Sequence, residues 1–276
     1  MESVALGGPP AAWAEPATRA PSPARRLVSR VGTFCVVELQ KLRHDRSELV
    51  TRLIQPVLWL VVYGEVMTRT RMIATGGIPY RSFLAPGIMA QSALFVSIFY
   101  GIQIIWERDA GVLTKLMVTP TPRVALVTGK AFAAGIRGLA QAVAILVVAA
   151  LLGVGFTTNP LRILGALGVV VLATAFFCCL SVTIAGLVLK RDRLMGIGQA
   201  IMMPLFFASN ALYPVTAMPA WLQGVSRVNP LSYEVSALRG LLLGTPTTLW
   251  LDFLVLVVTA GAAIGTASAL LGRLTR

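Results

Sequence analysis

The sequence predicts an all-α, polytopic membrane protein with six transmembrane helices, and three observations predict it. Of 276 residues, 56% are hydrophobic and 13% charged, with a mean hydropathy of +0.78, where soluble domains run at roughly 45–50% apolar and about 25% charged. Apolar runs long enough to cross a bilayer recur near 49–67, 83–105, 131–156, 161–189, 195–213 and 250–272. The 24 Lys and Arg residues, which give a net charge of +13, fall between these runs and not along one soluble face, so the charge argues for membrane topology and against a nucleic-acid partner.

Each run is judged by reach, since a helix rising ~1.5 Å per residue needs about 20 residues to cross ~30 Å of hydrocarbon. The fourth run is longer than needed and has room to tilt, and the first is short and contains Gln55 and Pro56. Orientation follows from the loops: with an inside N-terminus, seventeen Lys and Arg lie on the cytoplasmic side and six outside, Arg137 being inside the third run. That excess predicts cytoplasmic termini.

The segments between the runs are more individual. Residues 1–29 open with five prolines by position 23 and lack the apolar stretch of a signal peptide, which predicts a disordered cytoplasmic tail. Over 30–48, Val31, Phe34, Cys35, Leu39 and Leu42 share one helical arc, giving either an interfacial amphipathic helix or a plain cytoplasmic one, since Glu38 enters the same arc. Over 106–119, Val112, Leu113, Leu116 and Met117 share a face before Pro120 and Pro122 stop the helix, giving either a docking element for another protein or a helix lying on the bilayer. From 214 to 249 the chain is apolar but broken by Pro214, Pro219, Pro230 and Pro246. Two short helices dipping into the outer leaflet are the simplest reading, with Trp221 and Tyr233 at headgroup level.

Chemistry is sparse. The only Gly-Lys pair, Gly129-Lys130, is followed by Ala131 and not by Ser or Thr, so the chain carries no phosphate-binding loop. One histidine, His44, and eleven scattered acids supply neither a metal cluster nor a paired acid and base, and no catalytic or metal-ligating residue is expected. Cys35, Cys178 and Cys179 are read as apolar filler. Glu65, Asp252 and Arg137 sit near the ends of their runs, where each reaches an interface by snorkelling or is buried for a function. Gln55, Gln91, Gln141 and Asn210 are read as polar contacts between helices, and Gly261 and Gly265 form a weak GxxxG signal.

Three stretches in order, FLAPGIMAQSALF at 83–95, IWERDAGVLTKLMVTPTPR at 105–123 and NALYPVTAMPAWLQGVSRVNPLSYEVSALRG at 210–240, resemble the ABC type-2 permease family, in the branch of drug-resistance and nodulation-factor export permeases. The likeness covers nearly the whole chain, as a permease domain over 30–276. It implies two permease subunits, identical or homologous, and two ABC ATPase subunits in the cytoplasmic membrane. The ATPases carry the ATP and Mg, and no cofactor binds this chain directly. Residues 30–48 become the connecting helix, and Glu107, Arg108, Asp109, Gly111 and Leu113 fall in the coupling helix. Pro230, Leu231, Tyr233 and Arg239 carry the family's late motif in the re-entrant segment. The substrate path is expected along the first, second and fifth spans, with Gln55, Phe95, Phe99, Met203 and Asn210 as candidates. An apolar path favours hydrophobic or amphipathic cargo such as drugs, lipids or lipid-linked molecules. A stand-alone secondary transporter and a membrane scaffold without transport are the alternatives.

Overall fold

The structure is a computed structural model that describes residues 46–70, 77–111 and 122–274, with single positions 29, 32, 33, 36, 40, 73, 75 and 113. The expected tail over 1–29 and the connecting helix over 30–48 lie almost wholly outside the described residues, as do Cys35, His44, Val112 and 114–121.

The described residues form helices joined by short loops, with no strand among them. The first helix runs as α1 (Arg46–Leu58), a π-helical turn (Trp59–Tyr63) and α2 (Gly64–Thr70). Then come α3 (Tyr80–Asp109), α4 (Arg123–Leu151), α5 (Pro160–Val188), α6 (Arg191–Phe207), the short α7 (Ala220–Val228) and α8 (Pro230–Leu243), and α9 (Leu249–Leu270), which ends in a 3₁₀ turn. Four of these, α3, α4, α5 and α9 with its turn, are long and apolar enough to cross a membrane. The first helix is broken by the π turn and carries Arg46, Glu48, Arg52, Glu65 and Arg69, and α6 has 17 residues, about 25 Å, with Arg191, Asp192 and Arg193 in its first turn. Those charges and that length set the two apart from the four.

Local chemistry fixes the ends. α5 and α8 begin alike: Asn159 and Asn229 each accept a 3.0 Å hydrogen bond, from the Leu161 and Leu231 amides, and Pro160 and Pro230 occupy the first helical position, where a missing N–H costs nothing. α4 starts at Arg123 and stops at Leu151, so the third run is helical from earlier, and to an earlier end, than its apolar residues suggested. Its stop is a Schellman turn, with Gly153 at φ +79° donating to the Ala150 carbonyl and Val154 donating to that of Ala149, both at 3.0 Å.

α5 is the centre of the bundle, packed by α3, α4, α8 and α9. Small residues set the closeness of these contacts, as expected where lipid removes the hydrophobic drive between helices. At Gly101 of α3 a side chain would lie 2.6 Å from Ser181 Cβ of α5, and Ser181 Oγ donates to the Ile98 carbonyl at 2.8 Å across the same contact. Cys178 and Cys179 are free and buried in this packing.

Candidate functional site

The site with the most unusual chemistry is a cavity of about 230 Å³ between α1, α3 and α4, lined by Thr51, Arg52, Gln55, Pro56, Gln91, Ser92, Phe95, Val96, Phe99 and Gln141. Gln91, Phe95 and Phe99 are spaced by four on α3 and so share one helical face. Pro56 has no N–H to return to the Arg52 carbonyl four residues back, and Gln141 Nε2 of α4 donates to that carbonyl at 3.0 Å. The Arg52 guanidinium lies 6.0 Å from the centre of the Phe99 ring. Among the described residues, three buried atoms of the lining residues, Gln91 Oε1, Ser92 Oγ and Gln141 Oε1, have no hydrogen-bond partner. Of the five path candidates, Gln55, Phe95 and Phe99 therefore meet in one cavity. Met203 of α6 and Asn210, which follows the end of α6, do not line it.

A second constellation gathers where α3 ends beside the starts of α4 and α6. Trp106–Asp109 form the last turn of α3, and Gly111 at φ +72° breaks the helix, so the segment expected to be a separate helix from 106 shares its first residues with the span. Glu107, half-buried, pairs with the buried Lys130 of α4 at 2.6 Å. Arg108 Nη1 donates at 3.1 Å to the carbonyl of Leu189, which closes α5 in a left-handed conformation, and its guanidinium also meets Asp109 at 2.8 Å. Leu113 is packed into the main core cluster. Only Asp109 among these charged side chains is largely exposed, so three of the five coupling candidates, Glu107, Arg108 and Leu113, are engaged within the chain itself.

The late motif explains itself in hydrogen bonds. Asn229 caps α8 and also donates through Nδ2 to the Leu205 carbonyl at 2.7 Å, while Tyr233 Oη donates to that of Arg227 at 2.6 Å. Arg239, 6% exposed, donates from Nε to the Phe83 carbonyl at 3.2 Å and from Nη2 to the Ala211 carbonyl at 3.1 Å, its guanidinium 3.5 Å over the Phe83 ring. Leu231 is fully buried. Arg239 thus belongs to the interior of the bundle.

Residues 31–243 match the ABC-2 type transporter family. This chain belongs to that family. Among its relatives, Nodulation protein J of Rhizobium leguminosarum bv. trifolii is 29% identical over 202 residues, 72% of this chain and 76% of the relative. The putative transport permease ycf38 of Cyanophora paradoxa is 28% identical over 201 residues, 72% and 69% of the two chains. The daunorubicin resistance ABC transporter permease protein DrrB1 of Streptomyces coeruleorubidus is 23% identical over 240 residues, 87% and 84% of the two chains. An ABC-2 family member with four apolar spanning helices is a multi-pass membrane subunit of a transporter, and the family in general works with an ABC ATPase.

Other charges of this ABC-2 chain lie deeper than the sequence suggested. Arg137 is fourteen residues into α4, about 21 Å from its start, because the helix begins at Arg123, and it lies over the Tyr100 ring at 4.9 Å. Asp252 is 3% exposed beside Ser236 of α8, because α8 covers the start of α9. Glu65 does reach the surface, where it pairs with Arg69 at 2.9 Å and with Arg81. Glu234 was not singled out in the sequence: it is fully buried, with neither carboxyl oxygen hydrogen-bonded among the described residues. Its place in the turn of α8 that packs on α3, α5 and α9 is legible only once those helices are assembled.

Proposed function

We propose that this chain is the permease subunit of an ATP-driven exporter that moves hydrophobic or amphipathic cargo, such as drugs, lipids or lipid-linked molecules, outward across the cytoplasmic membrane. Two permease subunits, identical or homologous, enclose the path, and a separate pair of ABC ATPases binds ATP and Mg. In this reading the helix over 46–70 and α6 complete six spans, both termini are cytoplasmic, and α7 and α8 form the outer re-entrant element. The name of one relative, a daunorubicin resistance ABC transporter permease, supports outward movement of a drug-like cargo.

The observation that carries the reading is the cavity at the first helix, where Gln55, Phe95 and Phe99 present an aromatic and polar wall beside Pro56. Such a mixed lining suits cargo with an apolar body and few polar groups. The loop after Asp109 is the ATPase contact, and Glu107 and Arg108 carry its movement to α4 and α5 through the bonds described above.

Extraction in a mild detergent should bring down an ATPase with phosphate-loop and Walker B sequences. Asp109→Ala should weaken that association or abolish cargo-stimulated hydrolysis. A chain that purifies alone and transports cargo without such a subunit would refute the proposal.

A further inference from the structure

Among the described residues that line the cavity, Arg52 is the only one that carries a charge. Its guanidinium stands beside the Phe99 ring of the same wall. Thr51 and Gln55, both exposed, lie one helical turn apart on α1 and add a hydroxyl and an amide that can donate hydrogen bonds. A second cation lies nearby. Arg137 of α4, half-buried against the Tyr100 ring, is four residues before Gln141 and so on the same helical face, and Gln141 is the residue that bonds α1 at the Arg52 carbonyl. Measured from Lys130, at the foot of the apolar stretch of α4, Arg137 is ~10 Å and Gln141 ~16 Å along the helix. Charge at that depth is costly in hydrocarbon and is retained where it serves a partner or a substrate path.

That charge sets the class of ligand. One guanidinium on the wall and another a helical turn from it raise the positive potential in a low-dielectric setting, which repels an ammonium group and attracts an anion. Both arginines also make contacts within the chain, and a guanidinium with five N–H donors in a fixed fork can serve the fold and a ligand oxygen at once. Phe95, Val96, Phe99 and Pro56 make the rest of the lining apolar. At about 230 Å³ the cavity is smaller than the ~300–1,000 Å³ of a pocket for a whole drug-sized molecule, so it suits one end of a larger amphipath. Resting on the proposed path, we propose that the cavity receives the anionic end of the cargo, a phosphate or carboxylate on an apolar body, with Arg52 as the residue that binds it and Arg137 strengthening the field around it.

The test uses the exporter with its ATPase in phosphatidylcholine nanodiscs and four radiolabelled probes of equal chain length: dodecyl phosphate, dodecanoate, dodecyl glucoside and dodecyltrimethylammonium. Binding is measured after subtraction of empty nanodiscs. The two anions should bind at least tenfold more tightly than the other two probes. Arg52→Gln, which leaves the backbone carbonyl for Gln141, should erase most of that preference while glucoside binding stays unchanged, Arg52→Lys should keep part of it, and Arg137→Gln should lower it by less than Arg52→Gln does. Phe95→Ala should weaken all four probes together. Excess inorganic phosphate should leave dodecyl phosphate bound, and displacement by it would show a site for a free anion and overturn the cargo assignment. Equal binding of phosphate and glucoside probes, or an anion preference that survives Arg52→Gln, with Phe95→Ala still weakening both, would overturn the selectivity and leave the path standing. Binding of every probe indifferent to Phe95→Ala and Phe99→Ala, with ATP-driven transport retained, would overturn the path and the selectivity with it.

Discussion

Gln141 Nε2 donates to the Arg52 carbonyl at 3.0 Å, the same carbonyl that Pro56 is unable to serve as a helix donor. A side chain of α4 thereby replaces a backbone bond of the first helix, as buried backbone in a low-dielectric setting demands. Gln141→Leu should lower stability by about 1–3 kcal/mol, the cost of an unsatisfied buried acceptor. In the Pro56→Ala background the same substitution should cost markedly less, because an amide is again available to the carbonyl. Thermal unfolding of the four variants in detergent reads the coupling, and equal losses in both backgrounds would contradict it.

The Glu107–Lys130 pair links the end of α3 to α4 with a 2.6 Å contact, Lys130 having 9% of its side chain exposed and Glu107 37%. Glu107→Gln leaves a buried ammonium uncompensated. The half-open carboxylate keeps the loss to about 1–2 kcal/mol, below the range for fully buried pairs. The larger effect should fall on function: cargo-stimulated hydrolysis by the ATPase drops while basal hydrolysis persists. Lys130→Met together with Glu107→Gln should recover stability without recovering stimulation.

Arg239 holds two carbonyls and one ring, and only a planar guanidinium has that geometry. Arg239→Lys keeps the charge but abandons at least one carbonyl and the stacking, and should cost about 2 kcal/mol. A thermal unfolding temperature equal to that of the parent would show that charge alone matters there.

Much of this was readable before the fold was known, and the exceptions share a cause. Asn229-Pro230 and Asn159-Pro160 announce helix starts from chemistry within two residues, and the four helices with long uninterrupted apolar runs stand out by hydropathy. The spacing of Gln91, Phe95 and Phe99 puts them on one face, so the cavity wall on α3 was legible in principle. Arg239, Glu234 and Asp252 were not, because burial depends on what a neighbouring helix covers, and nothing local encodes that cover. Leu113 follows the same rule: its face suggests a surface for another protein or for the bilayer, and its side chain packs into the core cluster of this chain.

Glycine positions differ sharply in what they hold together. Gly101→Ala should cost about 1–3 kcal/mol by forcing α3 from α5, since its methyl would meet Ser181 Cβ at 2.6 Å. Gly261→Ala and Gly265→Ala have no neighbour within 4 Å among the described residues and should leave the unfolding temperature of the single chain unchanged or slightly raised, since alanine favours a helix interior. Equal destabilisation at Gly101 and Gly265 would contradict the packing described for α5.

Cargo should cross by way of this chain only when a partner ATPase hydrolyses ATP. Purified permease should be reconstituted with its ATPase into sealed vesicles, and movement of a fluorescent amphipath followed with ATP, with a non-hydrolysable analogue, and with the permease alone. Movement is expected with ATP only, reduced at least tenfold by Phe95→Ala combined with Phe99→Ala. Equal movement by the permease alone, without nucleotide, would contradict it and identify the chain as a carrier in its own right.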